Sequence, residues 1–311
     1  MVTTAQTTRP SYRPYLAAVT RVERLSPSFV RITFTSPQFV DLGTAGLDQR
    51  LKVLFPGADG RVCDVGQTDA EAIATGAWYT RWRDLPLAER TPFRTYTVRR
   101  AAPADLELDI DFVLHHEPGP AGAWAAAAEP GDELVIVGPD ATSPDWRLGI
   151  DWHPGTARRL LLAGDETAAP AICGIIESLG ADHDIDAFIE VPDADDALPV
   201  QTHGRIRWLP RGERPHGEAL IEAVTAWAGR SGDVLARASA PIPQELEEID
   251  VDVDMLWDSP VDAEGEFYAW MAGESATVKT LRRLLVTTHG VDRKRVAFMG
   301  YWRAGQSERT E

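Results

Sequence analysis

The sequence predicts two domains of different class: an antiparallel β-barrel over residues 1–153, then an α/β domain with a parallel sheet over residues 154–311. Three observations carry this. The 311-residue length exceeds that of a usual single domain and suits two domains of about 150 residues each. The first half divides into short runs rich in β-branched and aromatic residues. After Pro154-Gly155 the period changes, and strand-like runs alternate with helical ones.

In the first half the predicted strands are Tyr15–Arg24, Phe29–Thr35, Leu51–Phe55, Phe93–Arg100, Leu106–Leu114 and Glu133–Val137. Ser26-Pro27, Pro56-Gly57 and Pro130-Gly131-Asp132 supply the turns between some of them. Between Gly60 and Thr91 the pattern weakens to a loop or insertion. In the second half Arg159–Ala163 is a continuous apolar run, followed by the turn Gly164-Asp165-Glu166-Thr167 and an Ala-rich helical stretch to Leu179. Asp186–Val191 and Arg205–Leu209 are further strands. Glu218–Ala228 sets Leu220, Ile221, Val224, Trp227 and Ala228 on one helical face. Phe267–Ala272 is a strand, and Gly273-Glu274-Ser275 opens a helix with Val278, Leu281, Leu284 and Leu285 at helical spacing. Arg295–Tyr301 is the last strand. Such alternation implies a parallel sheet with nucleotide-binding loops at its carboxyl edge.

Composition excludes several classes. With 31 basic against 48 acidic residues and a net charge of −17, the chain has no basic field for nucleic acid or an anionic membrane surface. Cys63 and Cys173 stand alone, so a cluster needing four thiolates is excluded. The N-terminal MVTTAQTTRPSYRPY lacks the apolar core of a signal peptide, and no run reaches the roughly 18 apolar residues of a membrane span. A reducing cytoplasm is the expected compartment. Glu245–Glu266 holds ten acidic residues and no basic one; it reads as a solvated strand or connecting loop, with partner docking or metal binding as the alternative.

The strongest motif is Arg94-Thr95-Tyr96-Thr97-Val98-Arg99. In an extended strand Arg94 and Tyr96 share one face, and Thr95 and Thr97 point to the other. A cofactor lying along the strand would meet Arg94 by its phosphates, Tyr96 by its ring and Thr97 through backbone or hydroxyl; a plain strand with a surface arginine is the alternative. Further on, Asp111-Phe112-Val113-Leu114-His115 ends a strand, and Gly119-Pro120-Ala121-Gly122-Ala123-Trp124 opens a helix. Amides at such a helix start bind an anion, and small residues admit a pyrophosphate. Lys52, within Leu51-Lys52-Val53-Leu54-Phe55, is a cation out of pattern in an apolar run; an outward-facing strand lysine is the alternative. In the second half, Gly164–Thr167 lies between strand and helix without a G-x-G-x-x-G, so it is either an unusual dinucleotide loop or a helix cap. After the following strand come Glu190, Asp193, Asp195 and Asp196 with no arginine nearby in sequence, a set suited to a free ribose hydroxyl and hostile to a 2′-phosphate.

Taken in order, Leu51–Pro56, Arg94–Arg99, His115 with Gly119–Trp124, Gly164–Thr167, Trp270–Glu274 and Tyr301-Trp302-Arg303 resemble the siderophore-interacting proteins, an FAD-dependent branch of the ferredoxin reductase-like flavoproteins. The resemblance implies an N-terminal FAD-binding barrel, a C-terminal NAD(P)H-binding domain, and reduction of a ferric siderophore with release of Fe(II). It places Arg94 on the FAD diphosphate, Tyr96 on the flavin ring and Thr97 at its N5 edge. Thr95, Asp111, Val113, His115, Ala121, Gly122 and Trp124 complete the FAD contacts. Gly164, Asp165, Glu166, Thr167, Gly273 and Glu274 become NAD(P)H contacts, with NADH favoured by the acidic set. Lys52, Lys279 and Arg303 become cations for an anionic ferric siderophore, although Lys279 also suits an exposed helix and Arg303 a tail. His116-Glu117-Pro118 departs from a more glycine-rich link. No acid–base residue and no resident metal is required. A reductase serving a protein partner, and a siderophore-binding module without flavin, are the competing readings.

Overall fold

The computed structural model describes residues 9–57, 59–115, 119–246, 256–261 and 263–305. Contacts divide the chain into two compact units. One runs to Ile150 apart from Leu25–Ser28; the other takes Leu25–Ser28 and the chain from Asp151.

The first unit contains β1 (Tyr12–Arg24), β2 (Phe29–Thr35), β3 (Arg50–Leu54), the short helices α1 (Ala70–Thr75) and α2 (Trp78–Asp84), β4 (Phe93–Thr97), β5 (Arg100–Ala102), β6 (Glu107–Val113), α3 (Pro120–Ala127) and β7 (Glu133–Pro139). The seven strands among the described residues form one sheet, in the order β4-β3-β7-β1-β2-β6-β5. Every pairing is antiparallel. Only Val98 and Arg99 separate the edge strands β4 and β5, so the sheet curls like a barrel. The expected single strand Phe93–Arg100 is therefore two: Val98 N donates to Gln49 O, next to β3, and Arg99 N donates to Asp109 O on β6. Alternation fills the interior, with Tyr15, Ala17 and Val19, then Ile32 and Phe34, Leu51 and Val53, Leu108, Ile110 and Phe112, and Leu134 and Ile136 in one cluster.

The Gly60–Thr91 segment has helices that the sequence pattern did not reveal. Asp69 caps α1 by accepting from Glu71 N and Ala72 N and pairs with Arg81 of α2 at 2.6 Å. Trp82 is fully buried against Leu54, Phe93, Val135 and Val137 on the outer face of the sheet, and its Nε1 donates to Thr91 O at 2.9 Å. Elements this short carry too few turns for a helical period to stand out.

The second unit contains β8 (Arg159–Gly164), α4 (Ala169–Glu177), β9 (Asp184–Val191), β10 (Arg205–Pro210), α5 (Glu218–Arg230), α6 (Gly232–Ala238), β11 (Trp257–Asp258), β12 (Phe267–Glu274), α7 (Ser275–Arg282) and β13 (Val296–Trp302). Its sheet runs β10-β9-β8-β12-β13-β11. The first five strands in that order are parallel, and β11 is a two-residue antiparallel edge. This mixed edge refines the expected all-parallel sheet. Central strands buried on both faces read as unbroken apolar runs, hence RLLLA in β8 and the wholly buried β12. Leu220, Val224 and Trp227 of α5 and Val278 and Leu281 of α7 pack on Leu161, Ala163, Ala269 and Met271. Residues 247–255 and 262 of the acidic run lie outside the described residues, as do His116, Glu117 and Pro118. No helix among the described residues is long and apolar enough to cross a membrane.

Candidate active site

In the first unit β4 presents two faces, as its alternation requires. Tyr96 turns into the interior, where its ring lies 4.5 Å from Phe112 and 6.2 Å from Phe55 between centroids. Trp124 of α3 joins the same rings, 5.6 Å from Phe55 and stacked on Phe34 at 6.2 Å. This aromatic group brings the Arg94–Thr97 strand and the start of α3 together. Gly119 precedes Pro120 at the first helical position, and a Cβ at Gly119 would meet nothing within 4 Å. The amides of Ala121 and Gly122 belong to the first turn, where no intrahelical carbonyl is in reach. Arg94 Nη1 donates to Phe93 O at 2.7 Å. Val113 is half-buried and His115 exposed at the end of β6.

Lys52 stands on the opposite face from Tyr96. Its Nζ donates to Thr95 Oγ1 at 3.2 Å and lies 4.7 Å from the Phe93 ring centroid, a cation–π contact. Asp111, expected among the FAD contacts, has its side chain engaged within the sheet. Its carboxylate is completely buried and held by Arg31 at 2.7 and 2.9 Å, with Arg99 Nε at 3.5 Å. That side chain ties β6 to Arg31 of β2 and to the strand corner two residues beyond Thr97.

In the second unit the chain lays β9 and β10 to one side of β8 and returns to place β12 and β13 on the other. The strand order reverses between β8 and β12, the position where open α/β sheets bind nucleotides. Gly164–Thr167 and Gly273-Glu274, far apart in sequence, are neighbours there, because Ala272 pairs with Gly164. Both glycines are needed for closeness. A Cβ at Gly164 would lie 2.7 Å from Ala272 O; one at Gly273, where φ is +143°, would lie 2.5 Å from Asp165 Oδ2.

Asp165 occupies that space. It accepts from Thr167 N at 2.9 Å, Thr167 Oγ1 at 2.5 Å, Glu274 N at 2.8 Å and Trp302 Nε1 at 2.9 Å. Glu166 accepts two bonds from Arg211 at 3.1 Å. The same guanidinium reaches Glu190 at 3.2 Å, and Glu190 also accepts from Gly217 N and Leu220 N at the start of α5. Glu274 caps α7 through Thr277 N. The carboxylates of Asp165 and Glu166, expected among the nucleotide contacts, are thus buried and internally bonded, and Thr167 is half-buried. Lys279 lies half-buried on α7, and Arg303 directly follows β13.

Burial and the charge of Glu166 push the Asp165 carboxyl up. Burial also pushes Glu166 up, but His216 and Arg211 outweigh it and bring it down to about 2. Its contribution to stability is therefore complete above the ordinary glutamate range and is lost as the pH falls through about 2. Arg211 and His216 carried no sequence signal, since neither belongs to a motif. Arg211, distant from that acidic set in sequence, pairs with Glu190. Asp196 is equally internal, accepting from Ser26 Oγ, Ser28 N and Ser28 Oγ of the Leu25–Ser28 segment in the same unit. Asp193 and Asp195 remain exposed.

Residues 18–143 match the siderophore-interacting FAD-binding domain, and residues 157–305 match the siderophore-interacting protein model. An uncharacterized Mycobacterium tuberculosis protein is 32% identical over 93% of this chain and 90% of its own length. The chain belongs to the siderophore-interacting protein family. Another relative of this siderophore-interacting protein, ferric vibriobactin reductase ViuB of Vibrio cholerae, is 26% identical over 95% of this chain and 91% of that one. The crystal structure of the siderophore-interacting protein SipS from Aeromonas hydrophila superimposes with a TM-score of 0.66 at 28% identity, covering 96% and 94% of the two chains. A ferredoxin reductase of carbazole 1,9a-dioxygenase shares the fold at 13% identity, over 94% of this chain and 70% of that one, with a TM-score of 0.55.

Proposed function

We propose that this protein uses FAD to reduce a ferric siderophore with electrons from a nicotinamide dinucleotide, releasing iron as Fe(II) in the cytoplasm. The observation that carries this reading is the aromatic group that sets Tyr96 and Arg94 of β4 beside the start of α3, inside the matched FAD-binding domain. Those residues fit FAD. A guanidinium and first-turn amides suit a diphosphate, a half-buried tyrosine suits a flat ring, and the open space at Gly119 admits close approach. ViuB, a relative along nearly the whole chain, is named a ferric vibriobactin reductase.

FAD, when bound, supplies the conversion of a two-electron donor into the single-electron steps that iron(III) accepts. The protein's own part is positional. Arg94 holds the diphosphate, Tyr96 orients the ring, Thr95 and Thr97 border its edge, and Val113, His115, Ala121, Gly122 and Trp124 line the remainder. In the second unit Gly164, Thr167, Gly273 and Glu274 shape the donor edge, with Asp165 and Glu166 behind them. Asp193 and Asp195, exposed beyond β9, favour NADH by repelling a 2′-phosphate. Lys52 of the first unit is assigned to the anionic iron chelate.

The deciding experiment records the visible spectrum of the purified protein, adds NADH or NADPH without oxygen, and then adds a ferric siderophore. Flavin bands that bleach with NADH and return with the iron complex are expected. A colourless protein that FAD does not reconstitute would overturn the reading. Lys52→Ala is expected to raise the KM for an anionic ferric siderophore about three- to tenfold at unchanged flavin content, the scale of one partly solvated charge. An unchanged KM removes Lys52 from the substrate site.

A further inference from the structure

Four buried carboxylates, those of Asp165, Glu166, Glu190 and Glu274, gather at the carboxyl edge of the second sheet. Arg211 is the fixed cation among them. His216, just before α5, is the other basic group, and the donor reading gives it no role. Its Nε2 lies 3.5 Å from Glu166 Oε2 and 3.7 Å from Asp165 Oδ2. Its ring stands edge-on to Trp302 at 4.9 Å between centroids, and the Trp302 indole donates to the same Asp165 oxygen. Among the described residues neither ring nitrogen of His216 makes a hydrogen bond, although both atoms are buried.

We propose that His216 is a positioning residue for the nicotinamide donor: as an imidazolium it holds the Asp165-Glu166 turn and Trp302 in place and offsets negative charge that would repel an anionic dinucleotide. This rests on the donor assignment made above. The charged groups around the imidazole decide the sign. Asp165 and Glu166 face it from the turn after β8. Glu190 from β9, Glu274 from β12 and Arg211 from beyond β10 complete the surroundings. On its own segment Arg214 and Glu218 neutralise each other at 2.8 Å. Without the imidazolium, the carboxylates keep Arg211, paired with Glu166 and Glu190, as their cation.

Burial lowers the proton affinity of His216, but Glu166 and Asp165 outweigh that, and its pKa stands above the ordinary histidine value. A raised pKa means that the charged form, and the stability it contributes, are complete below the unfolded value and are lost as the pH rises through the folded one. Donor affinity falls over the same interval.

The test measures KM and kcat for NADH on the FAD-loaded protein from about pH 6 to about pH 9, spanning the histidine range. The wild type is expected to show KM rising about three- to tenfold with pH at steady kcat, the effect of one nearby charge. His216→Gln should give the high KM at every pH, and His216→Lys the low KM at every pH. A wild-type pH profile in His216→Gln overturns the proposal. If His216→Gln does not fold, a KM that still rises with pH in His216→Lys overturns it. Thr167→Ala separates the two layers: if it raises KM at all pH values while His216→Gln keeps the wild-type profile, the donor site stands and the histidine role falls. If neither substitution moves KM, the donor site itself is misplaced and both readings fall.

Discussion

Gly273→Ala is expected to lower the thermal midpoint of the second unit by about 10 °C and to raise the KM for the donor. The backbone at Gly273 has a φ of +143°, a region that costs a side-chain-bearing residue about 1–3 kcal/mol. The added methyl also falls 2.5 Å from Asp165 Oδ2 and 2.7 Å from its Cγ. Asp165 cannot retreat cheaply, because it accepts from Glu274 N and Trp302 Nε1 on two further strands. Losing one such buried bond costs about 1–3 kcal/mol, so the combined effect is about 3–4 kcal/mol, and each kcal/mol moves a unit of this size by about 2–4 °C. Scanning calorimetry of the intact protein checks this. A midpoint within a degree of wild type would show that the turn relaxes without disturbing Asp165.

Asp111→Ala is expected to destabilise the first unit by about 3–5 kcal/mol, the scale for removing one partner of a buried ion pair. Two guanidiniums depend on this carboxylate: Arg31, whose side chain is 24% exposed, and Arg99, at 13%. Neither reaches bulk water easily once the carboxylate is gone. Arg99 stands at the corner where the chain leaves β3 for β6, so the Tyr96-Thr97 end of β4 loses its anchor and flavin retention falls as well. Denaturant unfolding and the visible-to-ultraviolet absorbance ratio report the two effects. Asp111→Asn should give a smaller loss of stability, since it keeps hydrogen bonds and removes only the charge. Wild-type stability in Asp111→Ala would mean that the two arginines find other partners.

What was legible in the sequence follows the length and regularity of each element. β2 and β6 alternate cleanly, and β8 and β12 are unbroken apolar runs, so the class of each half and the change after Pro154-Gly155 could be read directly. The helices of the 60–91 segment are too short to show a period. The break between β4 and β5 was hidden because a strand that changes partner keeps its alternation. Arg94, Tyr96, Gly119–Trp124, Gly164–Thr167 and Gly273-Glu274 sit in local motifs and are legible from the sequence as candidates. Their companions Arg211 and His216 lie in no such motif and reach the turn after β8 only through sheet order. For the same reason Asp111, Asp165 and Glu166, acidic residues inside recognisable motifs, were read as ligand contacts; the guanidiniums and amides that occupy them come from elsewhere in the chain.

The reversal of strand order between β8 and β12 also bears on when the turn after β8 can be completed. Asp165 is bonded to Glu274 and Trp302, which follow it by 109 and 137 positions. As the chain emerges during synthesis, β8, α4, β9 and β10 can begin to pack while Asp165 still lacks both partners. The turn that presents Thr167 is completed only when the last strand arrives. A chain stopped short of Trp302 would therefore keep much of its secondary structure but leave the buried Asp165 carboxylate without its indole partner, so this turn matures last and is the first part lost to truncation.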